Sequence, residues 1–550
     1  MKKFVFIVIS ASLFASCNIG ELEFDNLEVT PISGVFSFPL GEATYVMRDL
    51  VGNQTGDSLS FQEDSTSLFT LLYYDTISYS APNDIVQIDD INYSGSVSNI
   101  PIAVGPGTVN LIESFQTNYD PQKSEELDSI FYESGDLSIT TTSTIAGDLS
   151  YTFTLTNTTN INTGIPISLT GNISGGGTDM QTRSLIGHKT VLVDPSGSNV
   201  FSIDLNAVVT LNAAQSLTGT ETLSFDLTYG NQTFGLIYGK FGRDTIQVGN
   251  QSIEIDFFTQ SERSGITFGN PSISFDFRNT FGVPIGVDFA GLYGDDGAGG
   301  NQVFLTGSII NDDPVIEGSG LDTPTPTTPG ETAQTIIEIN RGNSNLVNLL
   351  SQSPERLVFD VSGISNPESL TEANYLQPTS SITAFVTLEV PMEVQLEDYE
   401  ESGSFGLGDG LDLSNVDSAF IRLVTNNELP FNGTINLEVQ DADSVALFPI
   451  SDTSDPQFDQ EQLDRFTNIP VIKAPLINVN GEVTDPSGAT EDISLTQAEV
   501  DLLAGASHVI ITMVLNTPVS QTSRDIYVKI LADYTLSLKV GIGGKFNLEL

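Results

Sequence analysis

The chain has 550 residues, with 19 Lys plus Arg against 71 Asp plus Glu, a formal charge of -52 and a pI near 4.1. An acid excess of this size repels phosphate backbones and anionic headgroups, which excludes nucleic-acid binding and attachment to a membrane through a basic face. One Cys and two His leave no material for a disulfide framework or a thiolate metal cage, and almost none for a His-based zinc site.

The first element is an address. Lys2 and Lys3 precede a short apolar run over residues 4–9, extended weakly by Ala11, Leu13 and Phe14. The run is too short to span a bilayer and reads as a signal peptide over residues 1–16. It ends in Leu13-Phe14-Ala15-Ser16-Cys17, which resembles a bacterial lipobox, with Phe14 standing where Leu is usual. The resemblance implies acylation of Cys17 and a membrane as partner, held by two or three acyl chains; one chain alone binds only marginally. An ordinary signal peptide with a chance Cys is the alternative. Residues 17–25 form an acidic tether that loosely resembles the surface-export signal of Bacteroidota lipoproteins. The expected location is the outer membrane, with its periplasmic and cell-surface faces both open.

From residue 26 the pattern is that of strands. Ile253-Glu254-Ile255-Asp256-Phe257, Ile273-Ser274-Phe275-Asp276-Phe277 and Leu536-Ser537-Leu538-Lys539-Val540 alternate with period two, as half-buried antiparallel strands do. The fold class expected is all-β, with two or three antiparallel β-sandwich-like domains and a few short helices. Composition shifts suggest an N-terminal domain over 26–122, a central sandwich over 123–316, a Thr/Pro linker or loop over 317–331 and a C-terminal domain over 332–550. Helices are expected after Asn343 or Ser344 as cap, for one turn within 459–466, and after Thr496, where Thr496 and Glu499 fit a capping box and Gly505 stops the turn.

Two stretches read alike. Phe153-Thr154-Leu155-Thr156-Asn157-Thr158 leads to Gly164-Ile165-Pro166-Ile167, and Phe275-Asp276-Phe277-Arg278-Asn279-Thr280 leads to Gly282-Val283-Pro284-Ile285. Each resembles the late-embryogenesis-abundant type 2 sandwich, which implies a sandwich and no function. Pro31 through Phe38-Pro39-Leu40-Gly41, then Pro354-Glu355-Arg356-Leu357, then Val528-Lys529-Ile530-Leu531-Ala532-Asp533-Tyr534, are similar to segments of large uncharacterised acidic Bacteroidota outer-membrane lipoproteins.

Chemistry is sparse. The acidic loops at Asp295-Asp296-Gly297, Asp441-Ala442-Asp443 and 452–459 do not complete a calcium loop. No nucleophile elbow, phosphate loop or dinucleotide fingerprint is present, so no cofactor, catalytic residue or metal ligand is expected. His188 and His508 read as structural. Tyr73-Tyr74 is a candidate glycan platform in a chain without Trp. Asp followed by Ser or Thr and then an aliphatic residue or Thr resembles the O-glycosylation sequon of exported Bacteroidota proteins. It marks Ser58, Ser65, Thr76, Ser129, Thr245, Ser418 and Ser444 as candidate acceptors. The function expected is that of a non-catalytic lipoprotein, a binding or scaffold component beside an outer-membrane barrel or other envelope lipoproteins. The alternatives are a surface glycan-binding protein and a lipid carrier.

Overall fold

The computed structural model describes residues 32–47, 59–97, 99–123, 125–193, 199–255, 265–297, 300–308, 310, 320–369, 371–407, 416–518 and 527–548. Cys17, the signal peptide, the tether and Ser58 lie outside them. Among the described residues the chain is all-β, with three short α-helices, Leu346–Leu350, Gln460–Phe466 and Gln497–Leu503. All strand pairs between named strands are antiparallel, several of them with a β-bulge or register shift.

The strands build three sandwiches, and the chain visits them in a nested order. The first strand, Ile32–Val46, lies along the last, Thr535–Leu548, from Ile32 opposite Leu548 to Val46 opposite Thr535. Together with Val416–Asn427 and Ser487–Leu495 they form a four-stranded sheet. It belongs with the five-stranded sheet that contains Tyr399–Gly406, Asn432–Gln440 and His508–Asn516. The next two strands, Leu59–Glu63 and Phe69–Tyr79, enter a second sandwich, where Phe69–Tyr79 pairs with Ile382–Pro391. That sheet continues through Ser272–Asn279 to Ala333–Asn340, and it faces a sheet of Thr245–Glu254, Arg356–Ser365 and Ile285–Asp295. Phe275 on one sheet meets Phe289 and Phe359 on the other, with ring centroids 4.9 and 5.7 Å apart. Between these visits the chain builds a ten-stranded assembly, mostly from residues 91–240. There the short strand His188–Val191 pairs with both Glu126–Ser143 and Asp148–Asn160, joining two layers. Phe153 and Phe225 close its core at 4.6 Å.

This pairing crosses both boundaries suggested by composition. Strands between residues 32 and 118 enter four different sheets, and Ser272–Asn279 pairs with two strands that lie beyond residue 331. The physical reason is that a sandwich closes by adding strands from anywhere in the chain, and alternation does not name the partner. The Thr/Pro segment is a loop within the second sandwich. Leu321 is buried and donates its N–H to the Ile285 carbonyl at 2.7 Å, and the Tyr238 hydroxyl donates to the Pro326 carbonyl.

The two look-alike stretches also part company. The first forms a hairpin in one sheet, with Asp148–Asn160 paired to Pro166–Ser174. The second crosses from one sheet of the second sandwich to the other, because Ser272–Asn279 and Ile285–Asp295 belong to different sheets. Asn279, almost fully buried, makes that corner: its amide donates to the Asp322 carbonyl and its oxygen accepts from Phe281 N–H.

Helix ends follow local chemistry. Thr496 and Glu499 make the expected reciprocal capping box, and Asp459 caps Gln460–Phe466 by accepting from the N–H of Glu461 and Gln462. The cap of Leu346–Leu350 is Asn345, one residue beyond the expected position. Its side chain does no capping; it accepts from Thr306 N–H and donates to the Phe304 carbonyl, tying the helix to a neighbouring strand.

Candidate functional site

Alternation along Phe69–Tyr79 splits the Tyr73-Tyr74 pair. Tyr73 is 1% exposed and sits in the core, so it is no platform; Tyr74 is 46% exposed. A dipeptide in a strand cannot present both rings to one ligand. The face of Tyr74 nevertheless carries a second ring that sequence proximity could not reveal. Phe385, also 46% exposed, lies opposite Thr76 and thus diagonal to Tyr74, within reach of an aromatic side chain. Asp276 lies opposite Phe385 and accepts from Arg278 at 2.7 Å and Gln334 at 3.0 Å.

Of the other candidate residues, Ser65, Thr76, Thr245, Ser418 and Ser444 are exposed. Ser129 is half-buried on the strand Glu126–Ser143, which is paired on both sides, opposite Val191 and Tyr238. The Asp that precedes each Ser or Thr has a structural use in several places. Asp64 accepts from the Thr66 hydroxyl and from the N–H of Thr66 and Leu68, which holds its carboxyl below the usual range. Asp75 likewise accepts from the N–H of Thr76 at 2.7 Å.

The acidic loop at Asp295 is not a solvated turn. The Asp295 side chain is fully buried, and it takes two hydrogen bonds from Arg356, at 2.6 and 3.0 Å, and one from Gly297 N–H. Those Arg356 bonds lower its pKa from the ordinary 3.8. Among the described residues no group of three or more His, Cys, Asp or Glu is arranged to hold a metal ion. His188 Nδ1 lies 3.1 Å from the Ile186 carbonyl in a turn, and His508 opens the strand His508–Asn516.

Two cavities bear on ligands. The apolar one between the sheets of the second sandwich, lined by Ile77, Phe275, Ile246 and Val361 among others, measures about 50 Å³. That is about a third of the roughly 150 Å³ that holds one benzene, so an acyl chain does not fit it as it stands. The other is a polar cleft of about 490 Å³ in the sandwich that holds both the first and the last strand. The strand Asn432–Gln440 alternates strictly, with Gly433 and Ile435 buried between Asn432, Thr434 and Asn436. Asn432 lies opposite Asn516 and Thr434 opposite Val514, so these residues share one face. Asp398, Asn468 and Lys473 complete the lining. Asp398 and Asn468 both hold positive φ, at 49° and 53°. Asn516 fixes Asp398, accepting from its backbone N–H at 2.8 Å and donating to its carboxylate at 3.1 Å. The amide oxygen of Asn432 is buried and has no hydrogen-bond partner among the described residues. A second cleft of about 350 Å³ shares Asn468 and Pro470 with the first and continues past Arg465 and Asp492. Sequence reading missed this site, because its residues come from four separate segments; the Asn-x-Thr-x-Asn alternation at 432–436 is the one signal that pointed to it.

Among the described residues no helix is long and apolar enough to cross a membrane. No family model and no curated protein matches the chain. Among solved structures, a Parabacteroides distasonis protein inferred to be secreted aligns over 93% of this chain and 99% of its own, at 10% identity and a TM-score of 0.29. The infectious bursal disease virus Gx strain structure aligns over 92% and 85%, at 9% identity and a TM-score of 0.15. The Sulfolobus turreted icosahedral virus structure aligns over 90% and 98%, at 10% identity and a TM-score of 0.11. Likenesses this slight carry no functional information.

Proposed function

We propose that the protein is a non-catalytic, lipid-anchored component of a bacterial outer membrane that works by binding, as a ligand-capturing or scaffold subunit beside a barrel protein or other envelope lipoproteins. The observation that carries this reading is the pairing of Ile32–Val46 with Thr535–Leu548. The chain that follows Cys17 enters the sandwich that also holds the polar cleft, so an acyl group on Cys17 tethers the molecule at its ligand-sized site. The acid excess supports the same reading, since it keeps the body off anionic headgroups and leaves attachment to the acyl chains. Exposed acids on alternating strands also discourage edge-to-edge pairing between copies.

Co-purification from detergent-solubilised membranes of the native host tests the scaffold role. The expected result is a stoichiometric envelope protein that elutes with this chain through two successive columns. A chain that always elutes alone contradicts it.

A further inference from the structure

We propose that the polar cleft at Asn432, Thr434, Asn516, Asp398, Asn468 and Lys473 binds a neutral glycan, one sugar unit seated in the larger cleft and the next continuing over Pro470. This rests on the reading of the protein as a binding component and names its ligand class.

The chemistry of the lining selects the ligand. Asp398 and Lys473 line the same cleft, so a simple anion meets a carboxylate and a simple cation meets an ammonium. The other polar side chains of the lining are amides and a hydroxyl, which donate and accept side by side, set among Pro470, Ile472, Ala474 and Val514. Vicinal sugar hydroxyls do the same, each giving one proton and taking others. Asn432 and Thr434 stand on one face of their strand, opposite Asn516 and Val514, so an amide and a hydroxyl are offered from neighbouring positions of the cleft. Lys473 is one of only 19 basic residues in a chain of 71 acids, and it is exposed with no ion pair among the described residues. The shape agrees: about 490 Å³ lies within the usual range of ligand pockets, roughly 300–1,000 Å³. The adjoining cleft of about 350 Å³ favours an oligosaccharide over a monosaccharide. No aromatic ring lines the larger cleft, so affinity rests on hydrogen bonds and is expected on the order of 0.1–1 mM.

The test is saturation-transfer NMR on the full chain in detergent. The probes are short neutral manno-, xylo-, gluco- and galacto-oligosaccharides, with sodium phosphate and calcium chloride titrated as ionic comparators. The expected result is transfer to at least one neutral oligosaccharide, weakened about tenfold by Lys473→Ala and by Asn432→Ala, roughly one hydrogen bond's worth. Lys473 is exposed, so its variant remains informative if Asn432→Ala does not fold. Tyr74→Ala should leave binding unchanged. The inference is overturned if no neutral oligosaccharide binds, if only phosphate or calcium binds, or if Tyr74→Ala abolishes binding while Lys473→Ala does not. A chain that co-purifies with an envelope partner yet binds no oligosaccharide overturns this inference alone and leaves the envelope reading standing.

Discussion

Single residues separate the charges that hold this fold from those that only coat it. Glu499 is 1% exposed and takes hydrogen bonds from both terminal nitrogens of Arg465, from Gln462 and from Thr496 N–H. Burial works to raise its pKa, but these bonds outweigh burial and hold it below the ordinary 4.5. A carboxyl lowered in the folded state contributes stability that is full above about pH 4.5 and is lost as pH falls through the folded value. Arg465→Gln leaves Glu499 buried and short of its cation, and should cost about 3–5 kcal/mol at neutral pH, with a smaller loss in acid, measured by urea titration. Arg422 and Asp492 form a pair at 2.6 Å with both side chains about 40% exposed, and Arg422→Gln should leave the urea midpoint almost unmoved. Equal effects of the two variants would contradict this assignment. Sequence alone did not separate these pairs. Thr496 and Glu499 were legible as a capping box, but Arg465 comes from another helix. The division of Tyr73 from Tyr74 was implicit in the strand pattern, whereas Phe385 beside Tyr74 was not.

At the scale of elements, strands and caps were readable and pairing was not. Period-two alternation marks Ser272–Asn279 and Thr535–Leu548 correctly, because it records which side chains are buried. It does not record across which sheet they are buried. The segment 281–284 shows the consequence, since it resembles 163–166 in sequence yet crosses between sheets instead of closing a hairpin. The crossing depends on Gly282, where a Cβ would meet the Tyr375 ring at 2.2 Å. Tyr375 is fully buried against Tyr238, with its hydroxyl accepting from Gly330 N–H, so the ring has little room to retreat. Gly282→Ala is therefore expected to destabilise by about 1–3 kcal/mol through overpacking, measured by thermal unfolding. An unchanged melting temperature would show that the corner is loosely packed.

The whole molecule is nested, and nesting explains why linear domain boundaries fail. The outer sandwich is made by the two ends of the described chain, the second by segments inside them, and the ten-stranded assembly mostly by residues 91–240, with the short strand Asn374–Leu376 added from beyond. The polar cleft belongs to the outer sandwich and gathers Asp398, Asn432, Lys473 and Asn516 from distant segments, which is why the strand pattern could not announce it. The opening charge of -52 also acts at this scale: it surrounds a nearly charge-balanced cleft with acids and leaves the acyl group as the means of membrane attachment. The central claim is that attachment, and labelling the chain in its native host with an alkyne analogue of palmitate tests it most directly. The account predicts a labelled chain in the membrane fraction and, for Cys17→Ala, an unlabelled chain released from it. An unlabelled wild-type chain, or a Cys17→Ala chain that stays equally labelled and membrane-bound, would contradict it.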